Sequence, residues 1–394
     1  MLRITADISR DGRLPDEPPT KRADPKRSGK SLLLICDYQP VLLESLLETL
    51  DYTASRELVL VRKRDGVQWR DTNASVIGLP IRVFSEEEPL GVASILSLIA
   101  YLIMAIVVGT IAVIKRRLDA ILGVFAFPQG LVAIVIGGFT RRKVAILTDG
   151  GDVDLYLEKP LIRSLILICL RRATIVTALN RTKADRLFSL GIKTQMCPTI
   201  GINTMRFRYA TIRERKRGSV LYVGRLSREK CLGTLLRACG ILHHEQLPLE
   251  LVVIGDGPLK NQVVDIATEM GIEGIVQFEG HVPHSEIHRF FQEAAVFVLP
   301  SMREGVSVSL LEAMSSGCLC IVSDIPDNRD VVHHMQEGIN FRVSDEQDLA
   351  NKLRWSLAGS ARLEHITRNA RLTIEQTYSL KAVAETLDDI LLKL

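Results

Sequence analysis

Two carboxylates, Glu304 and Glu312, stand with seven residues between them in the string Glu304-Gly305-Val306-Ser307-Val308-Ser309-Leu310-Leu311-Glu312. The apolar run Val296 to Leu299 and Pro300 precede it, so the pattern predicts a strand, a loop carrying Glu304, and a helix beginning near Ser309. Glu312 then falls in the first helical turn. A helix start exposes backbone N–H groups that suit a phosphate. Acids on either side of it can accept hydrogen bonds from hydroxyls, a sugar at one end and a ribose at the other. Structural roles compete with this reading. Ser309-x-x-Glu312 is also a capping box, and Glu304 also suits the positive end of a helix.

A second constellation lies upstream in Leu221-Tyr222-Val223-Gly224-Arg225-Leu226-Ser227-Arg228-Glu229-Lys230. A strand ends at a glycine, and the cations Arg225 and Lys230 follow at a strand-to-helix junction. Such a junction with two added cations suits a diphosphate, whose departing charge must be neutralised. A plain surface cation pair is the alternative. The turn Gly255-Asp256-Gly257-Pro258 follows another apolar run, and glycines there let a ligand approach the backbone; an ordinary loop has the same composition.

These residues need strand ends to hold them, and the chain supplies them in alternation. In the first half, strands are expected at Leu32 to Cys36, Leu58 to Val61, Ser75 to Val83, Ala120 to Phe125, Lys143 to Thr148 and Thr174 to Ala178. Helices are expected at Pro40 to Leu50, Gln129 to Gly137, Lys159 to Leu170 and Lys183 to Leu190. The alternation restarts at Val220 and ends with an amphipathic helix from Tyr378 to Leu394. Strands alternating with helices imply parallel sheets with crossover helices, here in two α/β domains. The expected division is a disordered tail (1–30), a first domain (31–210), a charged linker (211–218), a second domain (219–377) and the final helix (378–394).

The 394 residues suffice for two domains. Residues 1–217 carry 34 Lys/Arg against 22 Asp/Glu, and residues 218–394 carry 16 against 24, so a basic half precedes an acidic one. Clusters such as Lys115-Arg116-Arg117 and Arg141-Arg142-Lys143 attract an anionic surface. Few aromatics interleave with them, which favours a membrane over nucleic acid; no nucleic acid partner is expected. Seven scattered cysteines, never spaced C-x-x-C, argue against a disulfide framework or a zinc site. They fit small apolar side chains in a reducing compartment.

Pro89 to Ile114 is a run of 26 residues without a charge, long enough to span a bilayer. A span would put the strands before and after it on opposite sides of the membrane. Ser94, Ser97, Tyr101, Ala105, Val108 or Gly109, and Ala112 recur at three- or four-residue steps, opposite Leu96, Ile99, Ile103 and Ile106. That pattern suits a helix in the membrane plane, its small face on a sheet and its bulky face in lipid. A wholly buried core helix and a true span are the other readings.

Taken in order, VGRLSREK, IGDGP, FEGHVP, VFVLPS and EGVSVSLLEAMSSG resemble the retaining GT-B glycosyltransferases of family four, also called glycosyl transferase group 1. The likeness is specific from Val220 to Tyr378. It is looser in the first half, at Phe125-Ala126-Phe127-Pro128-Gln129-Gly130 and Leu147-Thr148-Asp149-Gly150-Gly151-Asp152. The resemblance implies two Rossmann-like domains facing across a cleft, with the last helix crossing back to the first domain. It implies a nucleotide-diphosphate sugar as donor and transfer with retention. Arg225 and Lys230 would hold the diphosphate, Glu304 the donor sugar and Glu312 the ribose. Backbone N–H groups of Gly305, Val306 and Ser307 would contact sugar and phosphate, with Gly255 and Gly257 also on the donor side. No cofactor and no bound metal are implied. Many relatives carry His-Gly-x-Asp where this chain has Asp149-Gly150-Gly151-Asp152, so Asp149 and Asp152 are candidates for the acceptor side without the family histidine.

The combined expectation is sugar transfer to a lipid or lipid-linked glycan, in the cytoplasm, by a protein peripherally associated with the inner face of the cell membrane. A catalytically silent relative that binds a nucleotide sugar or a partner is the competing reading. A dehydrogenase is disfavoured, because no G-x-G-x-x-G follows a first strand.

Overall fold

The computed structural model describes residues 29–36, 40–53, 57–63, 74–79, 92–148, 160–357 and 361–394. Most of the expected tail, together with Asp149 and Asp152, lies outside the described residues. In the first half the order is β1 (Ser31–Ile35), α1 (Pro40–Asp51), β2 (Glu57–Lys63), β3 (Ala74–Leu79), α2 (Val92–Arg116) and β4 (Ala120–Val124). Then come α3 (Gln129–Thr140), β5 (Lys143–Leu147), α4 (Pro160–Arg172), β6 (Ile175–Ala178), α5 (Arg181–Ser189) and β7 (Gln195–Met196). The strands form one sheet in the order β3-β2-β1-β4-β5-β6-β7, with every pairing parallel. β1 and β4 are buried along their whole length, as continuous apolar runs must be when helices cover both faces of a sheet.

Residues 92–114 of the charge-free run lie in α2, which does not span a membrane; residues 89–91 lie outside the described residues. β1 pairs with both β2 and β4, so the strands before and after α2 belong to one sheet. Tyr101, Ala105, Gly109 and Ala112 are buried against that sheet and α3. A Cβ on Gly109 would lie 2.5 Å from Cδ1 of Ile136, so the small residue sets how closely α2 meets α3. Leu96, Ile99 and Ile103 are exposed, whereas Ile106, expected beside them, is half-buried and Val107 takes its place. A helix turns 100° per residue, and this register carries the outer stripe from residue 103 to 107.

The second half contains β8 (Lys216–Val223), α6 (Leu232–His244), β9 (Glu250–Ile254), α7 (Lys260–Glu269), β10 (Val276–Gly280), α8 (His284–Glu293) and β11 (Ala294–Leu299). It continues with α9 (Val308–Ser316), β12 (Leu319–Ser323), a single turn at Pro326–Arg329, β13 (Ile339–Phe341), α10 (Glu346–Leu357), α11 (Ala361–Thr373) and α12 (Leu380–Lys393). The sheet order is β10-β9-β8-β11-β12-β13, again parallel. Lys216 to Gly218, expected in the linker, already belong to β8, whose Lys216 aligns with Ala294 of β11.

The chain passes twice between the domains. Ile202 N–H donates to the Tyr378 carbonyl at 2.7 Å and Leu380 N–H to the Ile202 carbonyl at 3.1 Å, so the two crossing segments run side by side. Val383, Leu387, Ile390 and Leu391 of α12 then join Leu43, Leu46, Leu47 and Leu50 of α1 in one core. All seven cysteines are free, and all but Cys231 are buried. Burial pushes the Cys197 and Cys239 thiols up to about 12.

Candidate active site

In an open parallel sheet, ligands collect at the carboxyl ends of the strands where the strand order reverses. In the second domain the chain proceeds from β8 outward to β9 and β10, then returns to the other side of β8 with β11, so the crevice falls between β8 and β11. The loops that leave these two strands carry the residues singled out from sequence.

The Met302 N–H donates to the Glu229 carbonyl at 2.8 Å, tying the loop after β11 to the loop after β8. Across that tie, Lys230 Nζ meets both oxygens of Glu304, at 2.7 and 2.8 Å. The Glu304 carboxylate is only 6% exposed. A carboxylate so removed from water requires its cation. Arg225, five residues before Lys230, is exposed at the mouth of the same loop. Tyr222 Oη donates to the Arg225 carbonyl at 2.9 Å, which fixes the backbone there. A cation and a carboxylate from separate strand ends therefore converge, and Arg225 lies on the same loop as the cation.

Gly255 and Gly257 hold the neighbouring β9 loop against this one. Gly255 adopts φ +136°, and a Cβ there would lie 1.9 Å from the Gly224 carbonyl oxygen. A Cβ on Gly257 would lie 2.4 Å from the Leu226 carbonyl oxygen. Leu226 N–H also donates to the Asp256 carbonyl at 3.0 Å. The two loops pack backbone to backbone, which glycine alone permits.

Gly305, Val306 and Ser307 run from Glu304 into α9. Ser307 caps that helix, accepting from Leu310 N–H at 3.4 Å. The sequence offered Ser309 for this role with Glu312 as its capping-box partner. The helix starts two residues earlier than that scheme needs, so Glu312 sits beyond the first turn and caps nothing. Its carboxylate, 4% exposed, instead lies 2.7 Å from His284 Nε2 at the start of α8.

His284 was not among the residues singled out from sequence; no spacing rule links it to Glu312, 28 positions away. It faces the other domain as well. Glu44 of α1 stands 3.7 Å from His284 Nδ1. Arg206, on the crossing segment, pairs with Glu48 at 3.1 Å and Glu44 at 3.6 Å. Burial would lower the imidazole, but the hydrogen bond to Glu312 and the nearby negative charge of Glu44 outweigh it and hold His284 up at about 9. The charged imidazole thus keeps two acids company at the domain boundary. The crevice that these groups line with Asn203 and Phe207 encloses about 10 Å³, room for about one water.

A second polar contact joins the domains. Asn180 caps α5, accepting from Lys183 N–H at 2.9 Å, and donates to Asp327 at 3.0 Å. Lys183 Nζ lies 3.0 Å from Asp327, both side chains buried, and Thr182 N–H donates to Asp330 at 2.8 Å. The α5 amino terminus, with its partial positive charge, receives both acids.

Two facing domains with parallel sheets and loops of this kind define the GT-B architecture. Anabaena HepE, solved in complex with UDP and glucose, superposes with a TM-score of 0.72 over 93% of this chain and all of that one, at 15% identity. Sucrose-phosphate synthase from Thermosynechococcus elongatus gives 0.72 over 92% and 98%, at 18% identity. More particularly, residues 207–373 match the family Glycosyl transferases group 1, so the chain carries a domain of that group. Among curated relatives, the amylovoran biosynthesis glycosyltransferase AmsK of Erwinia amylovora is 30% identical over 44% of each chain. The putative colanic acid biosynthesis glycosyltransferase WcaL of Salmonella typhimurium is 25% identical over 67% of this chain and 68% of its own. The match to AmsK thus spans less than half of that relative's length.

Proposed function

We propose that the protein is a glycosyltransferase that moves a sugar, with retention, from a nucleoside diphosphate sugar to a lipid or lipid-linked glycan. The observation that carries the reading is the contact of Lys230 with the buried Glu304 at the β8/β11 switch point, on the loop that also carries Arg225. In this reading Arg225 and Lys230 neutralise the leaving diphosphate, aided by N–H groups of Gly305 to Ser307 at the α9 start. Glu304 exchanges part of its contact with Lys230 for a hydroxyl of the donor sugar. Glu312 accepts from the ribose, and the acceptor attacks on the face that the diphosphate leaves. Protein cations meet the phosphate charge, and no bound metal is required. The names of AmsK and WcaL, which give amylovoran biosynthesis and colanic acid biosynthesis, support a glycan product.

A thermal-shift panel of nucleoside diphosphate sugars tests the reading. A true donor at 100 times its dissociation constant adds about 2.7 kcal/mol. Arg225→Ala and Glu312→Ala should each lose that shift while remaining folded. A panel in which no donor shifts the melt sinks the proposal. A donor that binds but is never transferred or hydrolysed would mark a silent relative instead. Proton NMR of the product linkage reads retention directly, and chelator-insensitive transfer reads the absence of a metal requirement.

A further inference from the structure

Among the described residues, nothing covers one long side of α2. Leu96, Ile99, Ile103, Val107, Ile111 and Ile114 are 46% to 65% exposed and follow one another at three- and four-residue steps. They form a single stripe; from Leu96 to Ile114 it runs roughly 27 Å at 1.5 Å per residue. Isolated exposed aliphatic residues are ordinary, but a continuous patch of this length is not.

The ends of the neighbouring helices frame this stripe with positive charge. α2 ends in Lys115 and Arg116 and is followed by Arg117, all exposed. Arg116 Nη1 donates to Ser75 Oγ at 2.9 Å, fixing that end at the start of β3. α3 packs beside α2 and ends in Phe139, 74% exposed, followed by exposed Arg141, Arg142 and Lys143. α4, next in line, ends in exposed Arg171 and Arg172. All three helices are crossovers on one face of one parallel sheet, so their carboxyl ends lie along the same sheet edge. Asp119 is the one acidic residue among the described residues of these three turns, and it accepts from Ser31 N–H at 2.9 Å.

We propose that the exposed face of α2, with Phe139 and this cationic rim, is a docking surface for an anionic lipid bilayer, the helix lying in the membrane plane. An apolar stripe beside a block of Arg and Lys is what the acyl and headgroup layers of anionic lipid complement. The anionic inner leaflet of a cell membrane is such a surface. The opposite end of α2 lies at the carboxyl edge of the sheet, which faces the cleft. A bilayer along the stripe therefore extends from the rim to the cleft side of the domain. Delivery of a lipid-borne acceptor there rests on the proposed transferase reading; docking itself does not.

Co-sedimentation of the full chain with vesicles tests it. Wild type should pellet with phosphatidylcholine vesicles containing phosphatidylglycerol and far less with phosphatidylcholine alone. I103E/V107E, at exposed positions, should stay in the supernatant with an unchanged melting temperature. R141E/R142E should lower binding to the anionic vesicles at least about tenfold, with a flattened salt dependence. Wild type that ignores anionic vesicles overturns the proposal. So does I103E/V107E that binds as wild type, or that merely converts a dimer to a monomer in sedimentation velocity. Donor thermal shifts on the same variants separate this outcome from failure of the transferase reading.

Discussion

His284 Nε2 lies 2.7 Å from Glu312 Oε1, in a crevice where the same imidazole also faces Glu44 of the other domain. Burial pushes the Glu312 carboxyl up, and the hydrogen bond to His284 opposes it. Glu44 is held below the usual carboxylate range, chiefly by His284. Glu48, by contrast, is raised by burial although Arg206 stands beside it. The proton of the crevice is held on the imidazole between these acids.

A pH dependence follows. The folded His284 titrates near 9 rather than at its ordinary 6.5. Its contribution to stability is therefore full below 6.5 and is lost as pH rises through about 9. His284→Gln should cost on the order of 1.5–3 kcal/mol near pH 6, the range of a hydrogen bond to a charged group. The wild-type and variant melting temperatures should converge as pH climbs past 9. Parallel curves across that window would mean the imidazole is not the charged member of the crevice.

The Lys230–Glu304 pair predicts a coupled loss. Lys230→Met strands a carboxylate that is 6% exposed. Destabilisation of about 3 kcal/mol is expected, the low end for breaking a buried pair, because Lys230 itself is partly exposed. Glu304→Gln should destabilise less and still weaken any donor-induced shift. Chemical denaturation of both variants measures the first effect. A Lys230→Met protein as stable as wild type would show that Glu304 has other support.

The glycine turns predict a local and specific cost. Gly257→Ala drives a Cβ to 2.4 Å from a backbone oxygen, where no side chain can yield. Gly255→Ala adds a strained φ to a closer clash. Each should cost about 1–3 kcal/mol and separate the β8 and β9 loops. Gly274, whose Cβ would meet nothing within 4 Å, is the control, and Gly274→Ala should stay within about 0.5 kcal/mol of wild type. Equal melting temperatures for the Gly257 and Gly274 variants would remove the packing argument.

Legibility in the sequence followed the range of each interaction. The strands were legible because buried parallel strands are short continuous apolar runs, as in Leu32 to Ile35 or Val296 to Leu299. The loop residues Lys230 and Glu304 were legible because they sit at fixed offsets from those runs. By contrast α10 and α11 carry mostly polar residues, and α10 is held by Leu349, Ala350 and Leu353 against the core of the second domain. Such helices owe their stability to tertiary packing, which local pattern does not announce. His284, Arg206 and Glu44 come from three distant segments and meet only once the domains are placed. The choice of Ser307 over Ser309 as cap turned on where α9 begins, a boundary that neighbouring serines leave open.

The contact of Lys183 with Asp327 is the sharpest test of how the domains are held. Their side chains are 4% and 9% exposed, 3.0 Å apart, and come from opposite domains. Asn180 donates to the same carboxylate, so the acid has two donors and the cation a short, dry path to its partner. Removing one member leaves an uncompensated buried charge, which costs about 3–5 kcal/mol. Lys183→Met and Asp327→Leu should each lower stability by an amount in that range. The double variant should recover most of the loss, because two apolar groups need no partner. A double-mutant cycle in urea measures the coupling, which should be at least as large as one single loss, about 3–5 kcal/mol. Strict additivity of the two single losses would show that Lys183 and Asp327 do not support one another across the domain boundary.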